Sequence, residues 1–523
     1  MRTSLLALVA AALLASISPH AQTAGPAQAG PDTREDVLRG VGIAHGMLRG
    51  LQYTDATTTA QFQATGTQYI VGQAFKPGGP WPAAKLTKYN VWINYAVPGM
   101  RIDLERTNPD GPVQGGGGLP FAAPQRQILV VGGTRAWNEA MMPGGPATAA
   151  IGQEKDRAVQ IWMLPQGVVK AARMAGDKLA VGMEGNKRTL TFPLPDPVSN
   201  YTEKVRLDER KLVEHVEVMV DNPVLGPAEL EADYDNYKDP DLSDIPFPFH
   251  IVQKFRGSPI LELTVTSARM YNPYVVVPTP DNVEQAYAAP DPQSKVEIQK
   301  AGTGVWFVTG ASHNSLAVDF RDFAVVIEAP LNEERSLAVI SEVNKLIPNK
   351  PIKYLVNTHH HFDHSGGMRT YLAQGATIVT HQANKEYYEE VLFSTAPRTL
   401  QPDRFSTYYP YFSGGRRPLP IETVNQKFVI SDGVRVLDLY PVQGLNHVAT
   451  MLLVYLPKEK ILVNADLYSP PAQGAQPPPV NANMRSLRQN IQRLKLDVAQ
   501  HVPIHGTPGP NDQFVRIVGT SSN

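Results

Sequence analysis

The sequence contains no cysteine, and this absence excludes every disulfide bond and any lipid anchor attached to a cysteine. An excess of charge of one sign is also lacking, because 48 lysines and arginines stand against 49 aspartates and glutamates. No basic stripe is evident, so the chain lacks the long-range attraction that nucleic-acid binding needs. We therefore expect no nucleic-acid partner, while recognition of a single nucleotide in a cleft stays open.

The sequence also lacks an apolar run long enough to span a membrane. Its N-terminal apolar stretch, residues 5–17, is shorter than the roughly 20 residues that a spanning helix requires. A positive start precedes this stretch and small residues follow it, which is the pattern of a cleaved secretory signal. We predict a signal peptide over residues 1–22, with the cut between Ser18 and Ala24. The mature protein is then expected in the periplasm or outside the cell.

At 523 residues the chain is too long for one ordinary hydrophobic core, so two or more folded domains are expected. Between residues 90 and 265, short alternating runs are separated by proline and glycine turns, which predicts antiparallel strands. Asp156 to Ala172 is the main helix-like segment, with an interruption near Pro165. We predict a β-rich domain over residues 23–290, with Thr279 to Pro292 as the linker to the next domain.

Several turn motifs follow one another in this region: Tyr234-Asp235-Asn236-Tyr237, Ile245-Pro246-Phe247-Pro248, a hairpin at Phe255-Arg256-Gly257-Ser258, and Asn272-Pro273. Their order resembles the curved sheets of periplasmic lipoprotein-carrier-like domains. The alternative is a β-rich packing or dimerisation domain. No histidines, carboxylates or glycine-rich loops cluster here in a catalytic spacing, so we assign the chemistry to the C-terminal domain.

The most informative segment is Thr358-His359-His360-His361-Phe362-Asp363-His364, where four histidines and one aspartate fall within six positions. Imidazole nitrogens combined with a carboxylate oxygen are ligands that zinc prefers. The preceding residues predict a strand, along which side chains two positions apart point the same way. His359 and His361 are therefore expected to face one metal, with His360 pointing away.

The chain direction changes after this segment. Ser365 is expected to act as the N-cap of a helix over residues 368–374. Asp363 and His364 then lie at the turn between strand and helix, where they can reach a second metal beside the first.

Three later segments end in further candidate ligands, each at a predicted strand end: Gly444-Leu445-Asn446-His447, Ala465-Asp466 and Val502-Pro503-Ile504-His505. Together with the His-x-His-x-Asp-His pattern, they resemble the ordered motifs of the metallo-β-lactamase superfamily over residues 296–515. This resemblance implies an α+β chain in which residues 291–523 form an αββα sandwich with one or two metals at its edge.

The resemblance also assigns the ligands. It implies that His359, His361 and His447 hold one zinc ion, that Asp363, His364 and His505 hold a second, and that Asp466 bridges the two. Glu328 stands where the family usually has an aspartate, and we assign it a supporting role beside the ligands. Three histidines match no motif position and are expected to be structural, although the first could border the cleft: His313, His381 and His501.

These expectations describe an exported zinc hydrolase in which a metal-bridging hydroxide attacks an ester, lactone, thioester or related bond of a small molecule. Asp363 is expected to orient the nucleophile or relay a proton. Tyr468 is either a hydrogen-bond donor to the developing oxyanion or a structural residue. Asp466 favours ester-type substrates, because the family's genuine β-lactamases usually carry another residue at the bridging position.

Three alternatives stay open. The chain could be a β-lactamase, or a mononuclear iron enzyme like the persulfide dioxygenases of the same family, which would leave the second ligand set unused. It could also be a non-enzymatic periplasmic carrier or binding protein, as the N-terminal resemblance suggests. The sequence indicates neither the substrate nor the oligomeric state.

Overall fold

The computed structural model describes residues 33–49, 54–55, 57–142, 144–271, 275–292, 294–394, 396, 398–408, 418–472 and 474–519. The predicted signal peptide, residues 1–22, and the Asn272-Pro273 pair lie outside these described residues. Within them, no helix combines the length and the apolar character that crossing a membrane would take.

The helices are distributed over both halves of the chain. In chain order they are α1 (Arg34–Ala44), α2 (Glu154–Met163), α3 (Pro165–Ala175), α4 (Asp281–Ala288), α5 (Glu333–Leu346), α6 (Phe362–Ser365), α7 (Met368–Ala373), α8 (Lys385–Tyr387), α9 (Arg404–Tyr408), α10 (Ala482–Leu494) and α11 (Asn511–Gly519). Short 3₁₀ turns at Gly176–Lys178 and Gln382–Asn384 and a π-helical turn at Tyr388–Leu392 accompany them.

A large antiparallel sheet forms the N-terminal domain, preceded by the two-stranded pair β1 (Leu48–Arg49) and β2 (Thr54–Asp55). Its strands are β3 (Thr59–Tyr69), β4 (Ala83–Asn94), β5 (Gly99–Thr107), β6 (Gln125–Gly132), β7 (Arg135–Asn138), β8 (Thr148–Ala149), β9 (Ala180–Glu184), β10 (Lys187–Pro193), β11 (Thr202–Leu207), β12 (Val213–Val220), β13 (Ala228–Lys238), β14 (Phe247–Phe255) and β15 (Ser258–Met270).

The 13 strands lie in the order β8-β7-β6-β5-β4-β3-β15-β14-β13-β12-β11-β10-β9. Strands such as β13 and β15 alternate between buried and exposed side chains, because one face packs on the core and the other faces solvent. The predicted hairpin is confirmed: Phe255 pairs with Ser258, and Arg256 and Gly257 both adopt positive φ angles, as a two-residue turn requires.

The helix pair α2 and α3 connects the two edge strands of this sheet, β8 and β9. Its buried side chains, including Trp162, Met163 and Val168, belong to the same core as the inner face of the sheet. The interruption predicted at Pro165 is confirmed, since this proline occupies the first turn of α3. The β-rich N-terminal domain is thus built as the alternating pattern predicted.

The segment predicted as the interdomain linker contains helix α4. Val283 of this helix is fully buried against Ile128 and Trp137 of the N-terminal sheet. The hydroxyl of Tyr287 accepts a hydrogen bond from the backbone N–H of Ala136, at 3.0 Å. Proline and acidic residues at the start of this segment indicated a loop, but proline is also well suited to the first turn of a helix.

The C-terminal domain contains two sheets. The first, in the order β16 to β22, has the strands β16 (Glu297–Gly302), β17 (Val305–Thr309), β18 (Ser315–Asp319), β19 (Ala324–Ile327), β20 (Ile352–Val356), β21 (Thr377–His381) and β22 (Ile421–Val424). The second, in the order β23 to β28, has β23 (Phe428–Ser431), β24 (Val436–Pro441), β25 (Leu452–Leu456), β26 (Ile461–Asn464), β27 (Gln500–Pro503) and β28 (Gly509–Pro510).

The inner strands β19, β25 and β26 are buried along their whole length, which requires cover on both faces. One core lies between the two sheets and includes side chains of α10 and α11, while another joins the first sheet to α5 and α7. Asparagine side chains cap two of these helices, Asn332 at α5 and Asn481 at α10. The predicted α+β architecture, with a C-terminal αββα sandwich, is confirmed.

The two domains pack against each other. Val224, in the turn between β12 and β13, is buried in the core that surrounds α5 and α7. Arg398 of the sandwich donates hydrogen bonds to the carbonyls of Asn222, Pro223 and Val224, at 3.2, 2.9 and 3.2 Å. A second contact lies at the edge of the sandwich that holds the candidate site.

Candidate metal centre

The candidate ligands come from loops at one edge of the sandwich. Strands β19 and β20 are parallel to each other, as are β26 and β27, so the carboxyl ends of each pair lie together. The His359–His364 motif follows β20, Asp466 follows β26, and His505 follows β27. Strand ends therefore gather residues that are far apart in the sequence.

The first group consists of His359, His361, His447 and Asp466, whose donor atoms all lie within 4.8 Å of one another. His359 Nε2 lies 3.0 Å from His361 Nδ1. The Oδ2 atom of Asp466 lies 3.2 Å from His359 Nε2 and 3.3 Å from His447 Nε2. The structure brings together the residues that the resemblance assigned to the first metal.

The second group consists of His313, Asp363, His364 and His505. His364 Nε2 lies 3.3 Å from His505 Nε2, and Asp363 Oδ2 lies 3.2 Å from His313 Nε2. Asp466 contacts this group as well, through Oδ1 at 2.9 Å from His505 and Oδ2 at 3.1 Å from His364. Its carboxylate thus lies between the two groups, where a bridging ligand would be.

His313 was expected to be structural, yet the structure places its imidazole among the second group of donors. It lies in the loop between β17 and β18, and its ring centroid is 4.1 Å from that of His505. The sequence feature that could have identified His313 as a donor is its position in a short polar loop after an apolar strand. The motif histidines lie in the same kind of loop.

Unsatisfied polar atoms show that this donor set fits metal cations. His447 Nε2 and Asp466 Oδ2 are buried, and neither has a hydrogen-bond partner among the residues that the structure describes. Burying such atoms without partners costs free energy, so a buried site of this kind calls for a cation. The neighbouring nitrogens of His359 and His361 share at most one proton, which leaves a further lone pair directed into the same space.

The electrostatics of the first donor group favour ligation too. Burial lowers the pKa of His359 and His361 well below the ordinary value, which keeps their imidazoles in the neutral form that binds metals. Burial would raise the pKa of Asp466, but the charge of His364 and the close contacts of His364, His447 and His505 with its carboxylate hold that pKa well below its usual range. Asp466 is therefore a carboxylate.

Glu328 holds the ligand His364 in position through the ring nitrogen that faces away from the other donors. Its side chain is fully buried, and Oε2 lies 2.7 Å from Nδ1 of His364 while Oε1 accepts a hydrogen bond from the backbone N–H of Thr358 at 2.6 Å. The contact with Nδ1 directs Nε2 of His364 toward Asp466. Burial lowers the pKa of His364, but Asp466, Asp363 and Glu328 outweigh it and raise that pKa well above its usual value.

Three other histidines in the described part of the sandwich lie outside both groups. His360 Nδ1 lies 2.9 Å from Thr450 Oγ1, which turns its ring away from the donors. His381 Nδ1 accepts a hydrogen bond from the backbone N–H of Ala383, and His501 Nε2 lies 2.9 Å from Asn511 Oδ1.

The prediction that Ser365 caps the following helix is wrong. A separate short helix, α6, begins at Phe362, and the Ser365 hydroxyl donates a hydrogen bond to the carbonyl of His361 at 2.9 Å. The hydroxyl therefore stabilises the turn that carries Asp363 and His364. Gly367, not Ser365, precedes α7.

A cavity of about 780 Å³ opens onto the donors. Asp363, His447, Asp466 and His505 line it on the sandwich side together with Tyr468. The opposite wall comes from the N-terminal domain and consists of Ile70, Val71, Gln73, Gly117, Gly118, Leu119 and Pro120. The candidate donors all belong to the C-terminal domain, to which the chemistry was assigned, while a glycine-rich loop of the N-terminal domain borders them.

Tyr468 lies at the edge of this cavity with its ring packed against His501 and Phe514. Its hydroxyl is buried and has no hydrogen-bond partner within the described ranges of the chain. Burial raises the pKa of this hydroxyl to about 12, so it keeps its proton and is a donor. The packing of the ring against His501 and Phe514 gives Tyr468 a structural role.

Comparison with known proteins shows what the C-terminal domain is similar to. Residues 308–501 match the family model for the metallo-beta-lactamase superfamily. No curated protein matches the sequence. Solved structures with similarity include a metallo-beta-lactamase from Pontibacter korlensis, 20% identical over 43% of this chain and 100% of its own, with a TM-score of 0.32. Another, from Hirschia baltica, is 17% identical over 43% of this chain and 96% of its own, with a TM-score of 0.30.

Proposed function

We propose that the chain, whose residues 308–501 match the metallo-beta-lactamase superfamily, is an exported dinuclear zinc enzyme that hydrolyses neutral lactones, esters or thioesters. The observation that carries this proposal is the position of Asp466. Its two oxygens contact histidines of both donor groups, which supports two metal ions sharing one carboxylate. Imidazole and carboxylate donors without a thiolate suit zinc.

Metal ions held by these residues would lower the pKa of a bound water and polarise the substrate oxygen. Around them, the chain supplies positioning and a donor. Asp363 has a pKa held well below its usual range by the charge of His364 and a hydrogen bond with His313, which outweigh the effect of burial. A carboxylate that stays ionised accepts hydrogen bonds, so Asp363 orients the attacking water. We assign Tyr468, which lines the cavity and keeps its proton, as the candidate donor of a hydrogen bond to an oxygen that gains charge.

The composition of the cavity wall supports a neutral substrate. Among the described residues that line it, none is a lysine or arginine. Anionic groups such as a carboxylate or phosphate are usually bound by such cationic side chains, and Arg in particular forms paired hydrogen bonds with them. Ile70, Val71 and Leu119 instead present apolar surface opposite the donors. This wall suits the hydrocarbon part of a lactone or ester.

The experiment is a substrate panel on full-length protein whose metal content has been measured. Aliphatic lactones, aryl esters and thioesters are compared with β-lactams and phosphodiesters, with His381→Ala as a control histidine outside both donor groups. We expect zinc-dependent turnover of the neutral carbonyl substrates, unaffected by His381→Ala. Preference for an anionic substrate, or oxygen-dependent persulfide oxidation with one bound iron, would contradict the proposal.

Export is a separate part of the proposal and rests on the residue pattern of the signal sequence. Expression in a bacterial host followed by intact-mass measurement of the periplasmic fraction tests it. We expect a chain that begins between residues 19 and 25. Recovery of the protein with Met1 retained would contradict export.

A further inference from the structure

A loop of the N-terminal domain reaches the metal ligands. It connects β3 to β4, and the side chain of Gln73 within it bonds in two directions. Its Nε2 donates to Oδ1 of Asp363 at 2.8 Å, and its Oε1 accepts from the backbone N–H of Gly117 at 2.8 Å. The second bond fixes which end of the amide faces Asp363, because a backbone N–H can only donate.

The neighbouring residue acts on a second ligand. Nε2 of His361 lies 3.0 Å from the backbone carbonyl of Ala74, an acceptor, so this nitrogen carries the proton. The other nitrogen, Nδ1, is then unprotonated and faces His359 Nε2 across 3.0 Å. A hydrogen bond behind a histidine ligand fixes its tautomer and ring orientation. Here that bond comes from the N-terminal domain.

Backbone hydrogen bonds hold this loop on the sandwich. Phe362 N–H donates to the carbonyl of Gly72 at 3.3 Å, and Ala449 N–H donates to the carbonyl of Phe75 at 2.8 Å. From the second N-terminal loop, Gly115 N–H donates to the carbonyl of Asn446 at 2.9 Å. In two of these bonds the sandwich residue is the immediate sequence neighbour of a candidate ligand: Phe362 lies next to His361, and Asn446 lies next to His447.

This contact explains two glycines of the N-terminal loops, Gly116 and Gly72. A Cβ atom on Gly116 would lie 2.1 Å from Gln73 Oε1 and 2.6 Å from Cε1 of His361. On Gly72, whose φ is +76°, it would lie 2.4 Å from Cγ of Phe362. Only glycine allows the N-terminal loops to approach the ligands this closely.

We propose that the N-terminal domain is part of the metal centre, with Gln73 acting as a positioning residue for Asp363 and the Ala74 carbonyl doing the same for His361. The inference rests on the proposed function in that the two donor groups bind metal ions. Gln73 suits this role because one amide group supplies the donor for Asp363 and the acceptor for Gly117. The domain thereby sets metal affinity and not only the shape of the cavity.

The test measures metal affinity in the full chain by competition with a chromogenic chelator, using Zn²⁺ and Co²⁺ alone as probes. Gln73→Met keeps the size of the side chain and removes both polar groups, whereas Gln73→Glu places a carboxylate against Asp363. Gln127→Met, at an exposed position on β6, is the matched control. We expect the weaker-bound metal to dissociate about 10- to 100-fold more readily in both Gln73 variants, with no change in the control.

The d–d spectrum of the Co²⁺-loaded protein provides a second signature, since it reports the ligand geometry directly. We expect it to change in both Gln73 variants and to match wild type in Gln127→Met. Metal affinities within threefold of wild type together with unchanged spectra would overturn the proposal. A panel that finds no hydrolysis in wild type would count against the proposed function alone, because neither of these readouts depends on turnover.

Hydrogen exchange in the wild-type chain tests the proposal without any variant, so it can be used if the Gln73 variants do not fold. Adding Zn²⁺ should slow exchange at residues 72–76 and 115–117 as well as at the ligand segments, because the loops are bonded to the ligands. Slowing confined to the ligand segments of the sandwich would show that the N-terminal loops do not respond to the metal, and would overturn the inference.

Discussion

Asp466 and His505 are joined by a contact of 2.9 Å between Oδ1 and Nε2, and this contact leaves the other carboxylate oxygen facing the first donor group. One carboxylate therefore belongs to both groups. In the proposed dinuclear site, a carboxylate in this position would be shared by both metal ions, so the residue would decide both the metal content and the chemistry that the site can perform.

Substrate preference is the first consequence. We predict that kcat/KM for aliphatic lactones and aryl esters exceeds that for penicillins and carbapenems, and that Asp466→Ser lowers turnover of the former by weakening the shared site. Steady-state kinetics on both substrate groups, in wild type and variant at equal metal loading, test this. A β-lactam preference above about a hundredfold, equivalent to roughly 2.7 kcal/mol of transition-state binding, would show that the substrate assignment is wrong.

Glu328 holds His364 in place through a buried contact. Glu328→Gln keeps the shape of the side chain but removes its charge, and the amide must present its NH₂ group to either His364 Nδ1–H or the N–H of Thr358. We predict metal binding about 10- to 100-fold weaker, measured by chelator competition. Glu297→Gln is the control, because Glu297 is exposed and far along the chain from the ligands. Equal losses in both variants would rule out the orienting role.

His313 extends the second donor group. We predict that His313→Ala loses one of two metal equivalents more readily than wild type while the first group keeps its metal, and that His381→Ala behaves as wild type. Metal content after stepwise dialysis against a chelator distinguishes the two sites. If His313→Ala retains both metals as firmly as His381→Ala, the residue is structural, as the sequence alone suggested.

His45 makes the N-terminal domain sensitive to acid. Burial lowers the pKa of His45 to about 4, although a hydrogen bond to the carbonyl of Val41 acts in the opposite direction. The other ring nitrogen, Nε2, accepts a hydrogen bond from the backbone N–H of Val213. The unfolded chain takes up a proton near pH 6.5 and the folded chain near pH 4. The contribution of neutral His45 to the free energy of unfolding is therefore fully present above pH 6.5 and is lost as the pH falls from 6.5 to about 4.

Between pH 7 and pH 5 the loss should be about 2 kcal/mol of unfolding free energy from this one group. Denaturant titration of wild type and His45→Gln at both pH values measures it. We expect a smaller pH dependence in His45→Gln. The same dependence in both proteins would assign the acid sensitivity to other groups.

The sequence revealed those parts of the site that depend on local geometry. His359, His361, Asp363 and His364 lie within one strand-to-helix turn, so their spacing alone indicated a shared site. The αββα sandwich of the C-terminal half was implied by the family resemblance, whereas the β-rich sheet of the N-terminal half followed from the alternation of apolar and polar residues. Such patterns reflect backbone periodicity, which is a property of the chain itself.

What the sequence did not reveal depends on how distant segments pack. Gln73 lies 290 positions from Asp363, and nothing around it resembles a ligand motif. In the sequence Gly116 looks like an ordinary turn residue, and only the structure shows that it contacts His361. Helix α4 and the role of Ser365 were missed for a related reason, because proline and serine favour both loops and helix starts and tertiary contacts decide between them.

The most direct test of the account is the metal content of full-length protein, measured by mass spectrometry of the elements, for wild type and for His361→Ala. We predict about two zinc ions per chain in wild type, a clear loss of metal in His361→Ala, and turnover that is abolished with it while the β-sheet spectrum is retained. One tightly bound iron with oxygen-dependent activity, or full metal content in His361→Ala, would contradict a dinuclear zinc hydrolase.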